Sequence, residues 1–125
     1  MEHTQKKRVV VLIPACKPDE RLIELTRELT GEGLDVLLVD DGGQEAFCPI
    51  FSACQELGAK VAVHAVNQGK GRALKTGINA ALVHWPDLTG IVTADADGQH
   101  TPKDILRLID ALHAHPDKQI GRAHV

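Results

Sequence analysis

Four short apolar runs, at residues 9–13, 36–39, 61–66 and 91–94, alternate with segments whose apolar residues repeat at helical spacing. That alternation constrains the fold more than any other feature of the chain. A continuous apolar run without a polar face fits a strand covered on both sides. Strands separated by helices pair in parallel, because a parallel neighbour needs a crossover connection. Leu22, Leu25 and Leu29 share one helical face ahead of Gly31. Ile50, Ala53, Cys54 and Leu57 suggest a short helix stopped by Gly58, and Ala73, Leu74, Ile78, Ala81 and Leu82 a third. Thr101 and Pro102 open a fourth, which carries Ile105, Leu108, Ile109 and Leu112; Thr101 can cap it and Pro102 suits its first turn. The expected fold class is α/β, a parallel sheet of about four strands with helices on both faces.

A chain of 125 residues suffices for one domain and not comfortably for two. Its net charge of -3 favours neither nucleic acid nor an anionic membrane surface. Residues 1–7 form a basic, flexible start, expected to be a solvated flank. Cys16, Cys48 and Cys54 are odd in number and lack metal-ligand spacing, so reduced thiols in a cytosolic protein are expected rather than a disulfide framework. No apolar run approaches the ~20 residues that span a bilayer, and no signal peptide is visible. The chain as it stands is expected to be soluble.

The residues just beyond each apolar run carry more information about function. The first run leads to Pro14, Ala15, Cys16 and Lys17; the second to Asp40, Asp41, Gly42 and Gly43. The third leads to Asn67, Gln68, Gly69, Lys70 and Gly71, and the fourth to residues 95–100, Asp-Ala-Asp-Gly-Gln-His. In parallel sheets, ligands bind beyond the carboxyl ends of the strands. The four turns are therefore expected to build one site. The alternative is four separate polar turns, with Asp, Gly and Thr supplying turn and cap chemistry.

Asp95 and Asp97 fall on one side of an extended segment, because side chains alternate with period two. Two such carboxylates repel unless a cation lies between them, and oxygen ligands suit Mg²⁺ or Mn²⁺. Gln99 can add a further oxygen, while His100 can ligate or orient the loop. Lys70, between two glycines, can offset phosphate charge, or be a solvated residue at a helix start. Asp40 and Asp41 can accept hydrogen bonds from a base or ribose, or serve as turn and cap. Rival motifs fail on spacing. Leu74 stands where a P-loop needs glycine before Lys75 and Thr76. The Asp-Ala-Asp-Gly run lacks the remaining ligands and closing glutamate of a calcium loop. It also sits after the fourth strand, whereas haloacid-dehalogenase phosphatases carry theirs after the first. His113 and His115, two residues apart on a helix, point different ways and are expected at the surface.

The stretches VVVLIPACKPDERL, LLVDDGG, NQGKGRALKTGINAAL and VTADADGQHTPKDI together resemble, in order and spacing, the family 2 glycosyltransferases of GT-A fold. The likeness is greatest to the polyprenyl- or dolichyl-phosphate mannosyl- and glucosyltransferase branch, and the first stretch resembles bacterial forms fused to a GtrA-type membrane domain. It covers residues 8–119. The resemblance implies a Rossmann-like GT-A nucleotide-binding half. It implies that Pro14, Ala15 and Cys16 border the base, Asp40 and Asp41 contact base and ribose, and Lys70 lies near the nucleotide, with Ala96 beside it. Asp95 and Asp97 would be the metal-binding, catalytic DxD pair, assisted by Gln99. The implied reaction is an inverting, metal-dependent transfer of a hexose from a UDP- or GDP-sugar to a polyprenyl phosphate, in the cytoplasm at the inner face of the membrane. Alternatives are a saccharide acceptor, or a fragment that binds nucleotide without catalysis.

The family commonly has tyrosine where Cys16 stands and glutamate where Pro18 stands. Asp19 or Glu20 is expected to replace that glutamate. Residues 120–125, Ile-Gly-Arg-Ala-His-Val, match the translation of a common sequencing adapter and are expected to be a non-native tail. Membrane association and acceptor binding would then come from a missing C-terminal region, leaving donor binding to this chain.

Overall fold

The computed structural model of the chain describes residues 8–96, 102–114 and 120–122. The four expected strands are β1 (Arg8–Ala15), β2 (Asp35–Asp41), β3 (Lys60–His64) and β4 (Leu88–Thr93). The four expected helices are α1 (Glu20–Gly31), α2 (Cys48–Glu56), α3 (Lys70–His84) and α4 (Pro102–Ala114). A short fifth strand, β5 (Ile120–Arg122), pairs parallel with β4. No apolar run announces it, and it lies in the segment expected as a tail. Residues 1–7, Asp97, Gln99, His100 and Thr101 lie outside the described residues.

The strand order is β3-β2-β1-β4-β5, parallel throughout. β1 shows why. Val9, Val11, Ile13 and Ala15 enter one apolar cluster, with residues of α1, α2 and α4, while Val10 and Leu12 enter the other, with α3. Each burial of such a side chain contributes about 1.5–3 kcal/mol relative to exposure. A strand apolar on both sides therefore goes to the middle of the sheet. β3 ends at His64, earlier than the apolar run suggests; Val66, at 65% exposure, belongs to the turn beyond it.

Two local devices set the helix starts. Asp19 caps α1 by accepting the Arg21 amide at 2.9 Å. Gly69, at φ +90°, turns the chain into α3. The sheet-facing side of α3 is Ala73, Gly77 and Ala81, all buried. A Cβ on Gly77 would press into Leu12 of β1, 2.9 Å from its Cδ2. The small residues let α3 lie close on β1 and β2.

From β1 the chain steps outward to β2 and β3, then returns through α3 to place β4 on the other side of β1. Strand order reverses between β1 and β4, which opens a crevice beyond their carboxyl ends. Among the described residues, no helix is long and apolar enough to cross a membrane.

Candidate functional site

Strand alternation sends the adjacent Asp40 and Asp41 to opposite faces of the sheet. Val36 and Leu38 of β2 lie with α1 and α2, and Leu37 and Val39 with α3. Asp40 continues the first series and Asp41 the second.

Asp40 is 8% exposed, and its Oδ1 accepts the Gly43 amide at 3.1 Å. Burial holds its carboxyl above the ordinary carboxylate range; the Gly43 bond opposes this and the charge of Asp41 adds to it. Gly43 has φ +60°, and a Cβ there would come within 2.9 Å of the His64 carbonyl oxygen. The turn therefore requires glycine on both conformational and steric grounds.

Asp41 is held quite differently. Its Oδ1 accepts from the Gln68 amide at 2.9 Å and from His64 Nδ1 at 2.9 Å, and its Oδ2 accepts from the Gly69 amide at 3.1 Å. Burial works against its charge, but the Gln68 and His64 bonds, helped by that of Gly69, outweigh it and hold the carboxyl below its ordinary range. The other ring nitrogen of buried His64, Nε2, lies 2.8 Å from Thr76 Oγ1 of α3. Asp41 and His64 thus tie β2 and β3 to the start of α3.

The same turn holds Asn67. Its Oδ1 shares the Gly69 amide at 2.9 Å, and its Nδ2 donates to Cys16 Sγ at 2.9 Å. Lys70, the first residue of α3, reaches Asp95 beyond β4, Nζ to Oδ1 2.8 Å. Four strand ends are so joined through side chains.

Two clefts occupy this edge. The outer one, about 320 Å³, lies between Lys17, Asp40, Phe47 and Val66. The inner one, about 390 Å³, is bordered by Pro14 and Ala15 of β1, Gly69 and Lys70 at α3, and Asp95 and Ala96 after β4. Cys16, Asp41 and Asn67 border both. The family model for glycosyl transferase family 2 matches residues 11–122. The chain belongs to glycosyl transferase family 2.

Among its relatives in that family is an uncharacterized protein of Methanocaldococcus jannaschii, 36% identical over 83% of this chain and 41% of the relative. The undecaprenyl-phosphate 4-deoxy-4-formamido-L-arabinose transferase of Enterobacter sp. (strain 638) is 35% identical over 82% of this chain and 32% of its own length. That of Salmonella paratyphi B is 33% identical over 82% of this chain and 33% of its own length. The chain thus spans a third to two fifths of these relatives. Its parallel sheet covered by helices is the α/β, Rossmann-like arrangement expected of this family.

Most residues nominated from the sequence meet at the two clefts of this family 2 chain. Pro14, Ala15, Cys16, Asp41, Lys70, Asp95 and Ala96 border the inner one, and Asp40 borders the outer. Glu20 lines neither; it is exposed at the first position of α1. Asp19 is occupied as the cap of that helix and in an ion pair with Arg21 at 2.8 Å. Neither acid lines either of the two clefts. Asn67, His64 and Thr76 went unnominated. Asn67 had a legible signal, its place in the turn with Gly69 and Lys70; the other two had none, since their roles depend on partners far along the chain.

Asp95 carries a carboxylate, the type of oxygen ligand Mg²⁺ or Mn²⁺ takes, and its Oδ1 is paired with Lys70. Among the described residues, no group of three or more His, Cys, Asp or Glu side chains could hold a metal ion. The other nominated ligands, Asp97 and Gln99, lie outside the described residues.

Proposed function

We propose that this chain carries the donor-binding part of a transferase that moves a hexose from UDP- or GDP-sugar to a polyprenyl phosphate, with inversion and with Mg²⁺ or Mn²⁺. The observation that carries the reading is the pair of joined clefts, one beside Phe47, Val66 and Asp40 and the other at Lys70 and Asp95, which share Cys16, Asp41 and Asn67. A nucleotide sugar likewise has two joined parts, a flat base with its ribose and a diphosphate.

In this reading the base and ribose occupy the outer cleft. Asp40 accepts from ribose through its Oδ2, since Gly43 uses its Oδ1. Asp41 is committed to Gln68, Gly69 and His64, so its role is to hold the turn before α3 in place. The diphosphate lies in the inner cleft, where Lys70 and the positive end of α3 favour negative charge. Asp95, with Asp97 and Gln99, would hold the divalent ion, which supplies charge neutralisation for the leaving diphosphate. A polyprenyl phosphate oxygen is already ionised, so attack on the sugar needs no strong general base. The undecaprenyl-phosphate transferases among the relatives support this acceptor class. The same reading places the reaction at the cytoplasmic face of a membrane, where a polyprenyl phosphate resides.

Calorimetric titration with UDP and with GDP, each with and without Mn²⁺, tests the reading. Binding of one nucleotide, strengthened by metal and lost in Asp95→Ala, is the expected result. Metal-dependent binding that survives both Asp95→Ala and Asp97→Ala would overturn the metal assignment. A folded chain that binds neither nucleotide would overturn the donor reading.

A further inference from the structure

Among the described residues, Lys17 is the one non-glycine residue with positive φ, +54°. Left-handed backbone is unfavourable for a residue with a long side chain, and glycine or asparagine would take it more easily. The next residue makes matters worse. Pro18 crowds the backbone before it, and Pro18 is buried, so the turn cannot relax by swinging outward. A strained residue kept at the border of a cleft points to a functional reason.

The side chain supplies one. Among the described residues lining the outer cleft, Lys17 is the one cation, and among the described residues it makes no ion pair. The cation of the inner cleft, Lys70, is paired with Asp95 and sits at the phosphate end. A nucleotide laid across both clefts brings its base, not its phosphates, to Lys17. An ammonium group is donor only. Uracil and guanine offer a carbonyl oxygen at the ring position where cytosine and adenine carry an amino group. The carbonyl accepts from the ammonium; the amino group leaves it without a partner.

Resting on the nucleotide-sugar reading above, we infer that Lys17 reads the base and selects a keto base, so that the donor is built on uridine or guanosine and not on cytidine or adenosine. The strained turn is what carries the ammonium over the base.

The test is calorimetric titration of the chain with UDP, CDP, GDP and ADP in Mn²⁺, and with the nucleosides uridine and guanosine. The favoured keto nucleotide is expected to bind about tenfold more tightly than its amino counterpart, the scale of one partly exposed charged hydrogen bond. Lys17→Met and Lys17→Gly should both erase that ratio by weakening the keto nucleotide. Lys17→Gly relieves the turn and should unfold at no lower urea concentration than wild type, so lost binding would not reflect lost fold. The nucleoside should weaken by the same factor as its diphosphate. A ratio unchanged in Lys17→Gly would overturn the inference while leaving the donor site standing. So would weakening confined to the diphosphates, which would make Lys17 a phosphate contact. Failure of the folded wild type to bind any of the four would remove the donor site and this inference with it.

Discussion

His64→Ala tests whether the start of α3 is held from below. The ring is 7% exposed and makes two bonds, to Asp41 Oδ1 at 2.9 Å and to Thr76 Oγ1 at 2.8 Å. A bond to a charged partner contributes about 1.5–3 kcal/mol and a neutral one about 1 kcal/mol. Asp41 keeps its two backbone donors, Gln68 and Gly69, so its charge is not stranded in the variant. The expected loss of stability is about 3 kcal/mol, and that of Thr76→Val alone about 1 kcal/mol. Because Thr76 acts through His64, adding Thr76→Val to His64→Ala should change little, a coupling of about 1 kcal/mol in the double-mutant cycle. Equilibrium urea unfolding followed by circular dichroism and by the single tryptophan, Trp85, measures all four species. A loss below about 1 kcal/mol for His64→Ala, or full additivity with Thr76→Val, would refute the network as drawn.

Other perturbations separate neighbouring groups. Asp41, held low, contributes stability present above the ordinary carboxylate range and lost as pH falls through its folded value, so Asp41→Asn should destabilise near neutral pH and flatten the acid limb of the urea midpoint. Asp40, raised chiefly by burial, has the opposite sign, its contribution being lost as pH rises through its folded value; Asp40→Asn should leave the neutral-pH midpoint unchanged or higher while weakening nucleotide binding in titration. Gly43→Ala places a Cβ against the His64 carbonyl at φ +60° and should cost about 1–3 kcal/mol in urea unfolding. Lys70→Met removes an exposed ion pair and should change stability by about 0.5 kcal/mol or less, yet lower affinity for a nucleoside diphosphate about tenfold by calorimetry.

Periodicity made the sheet legible. The run at residues 9–13 has no polar face, and β1 is buried on both sides. The polar turns after the four runs do meet on one edge, because parallel strands end on the same side. Other features were hidden for identifiable reasons. β5 has three residues and no apolar run, so it leaves no periodic trace. The doublet at 40 and 41 reads as one acidic feature, whereas the pleat assigns each carboxylate to a different layer. His64 looks like the polar end of a strand; its partners are 23 and 12 positions away, a distance that no local pattern spans. The strain at Lys17 arises from the path the chain takes between β1 and the buried Pro18, not from any sequence preference of lysine.

Ala73, Gly77 and Ala81 touch neither cleft, yet they decide how far α3 stands from the sheet. The helix carries Lys70 at its tip and continues directly from Gln68 and Gly69, so it meets Asp95 and Asp41 as a single rigid arm. A methyl group added midway along that arm acts as a shim, displacing both ends of the site together. In a saturation screen for nucleotide binding, these three positions should therefore behave like binding residues, tolerating nothing larger than the residue already there, so that even alanine fails at Gly77, although a map of ligand contacts would leave all of them blank.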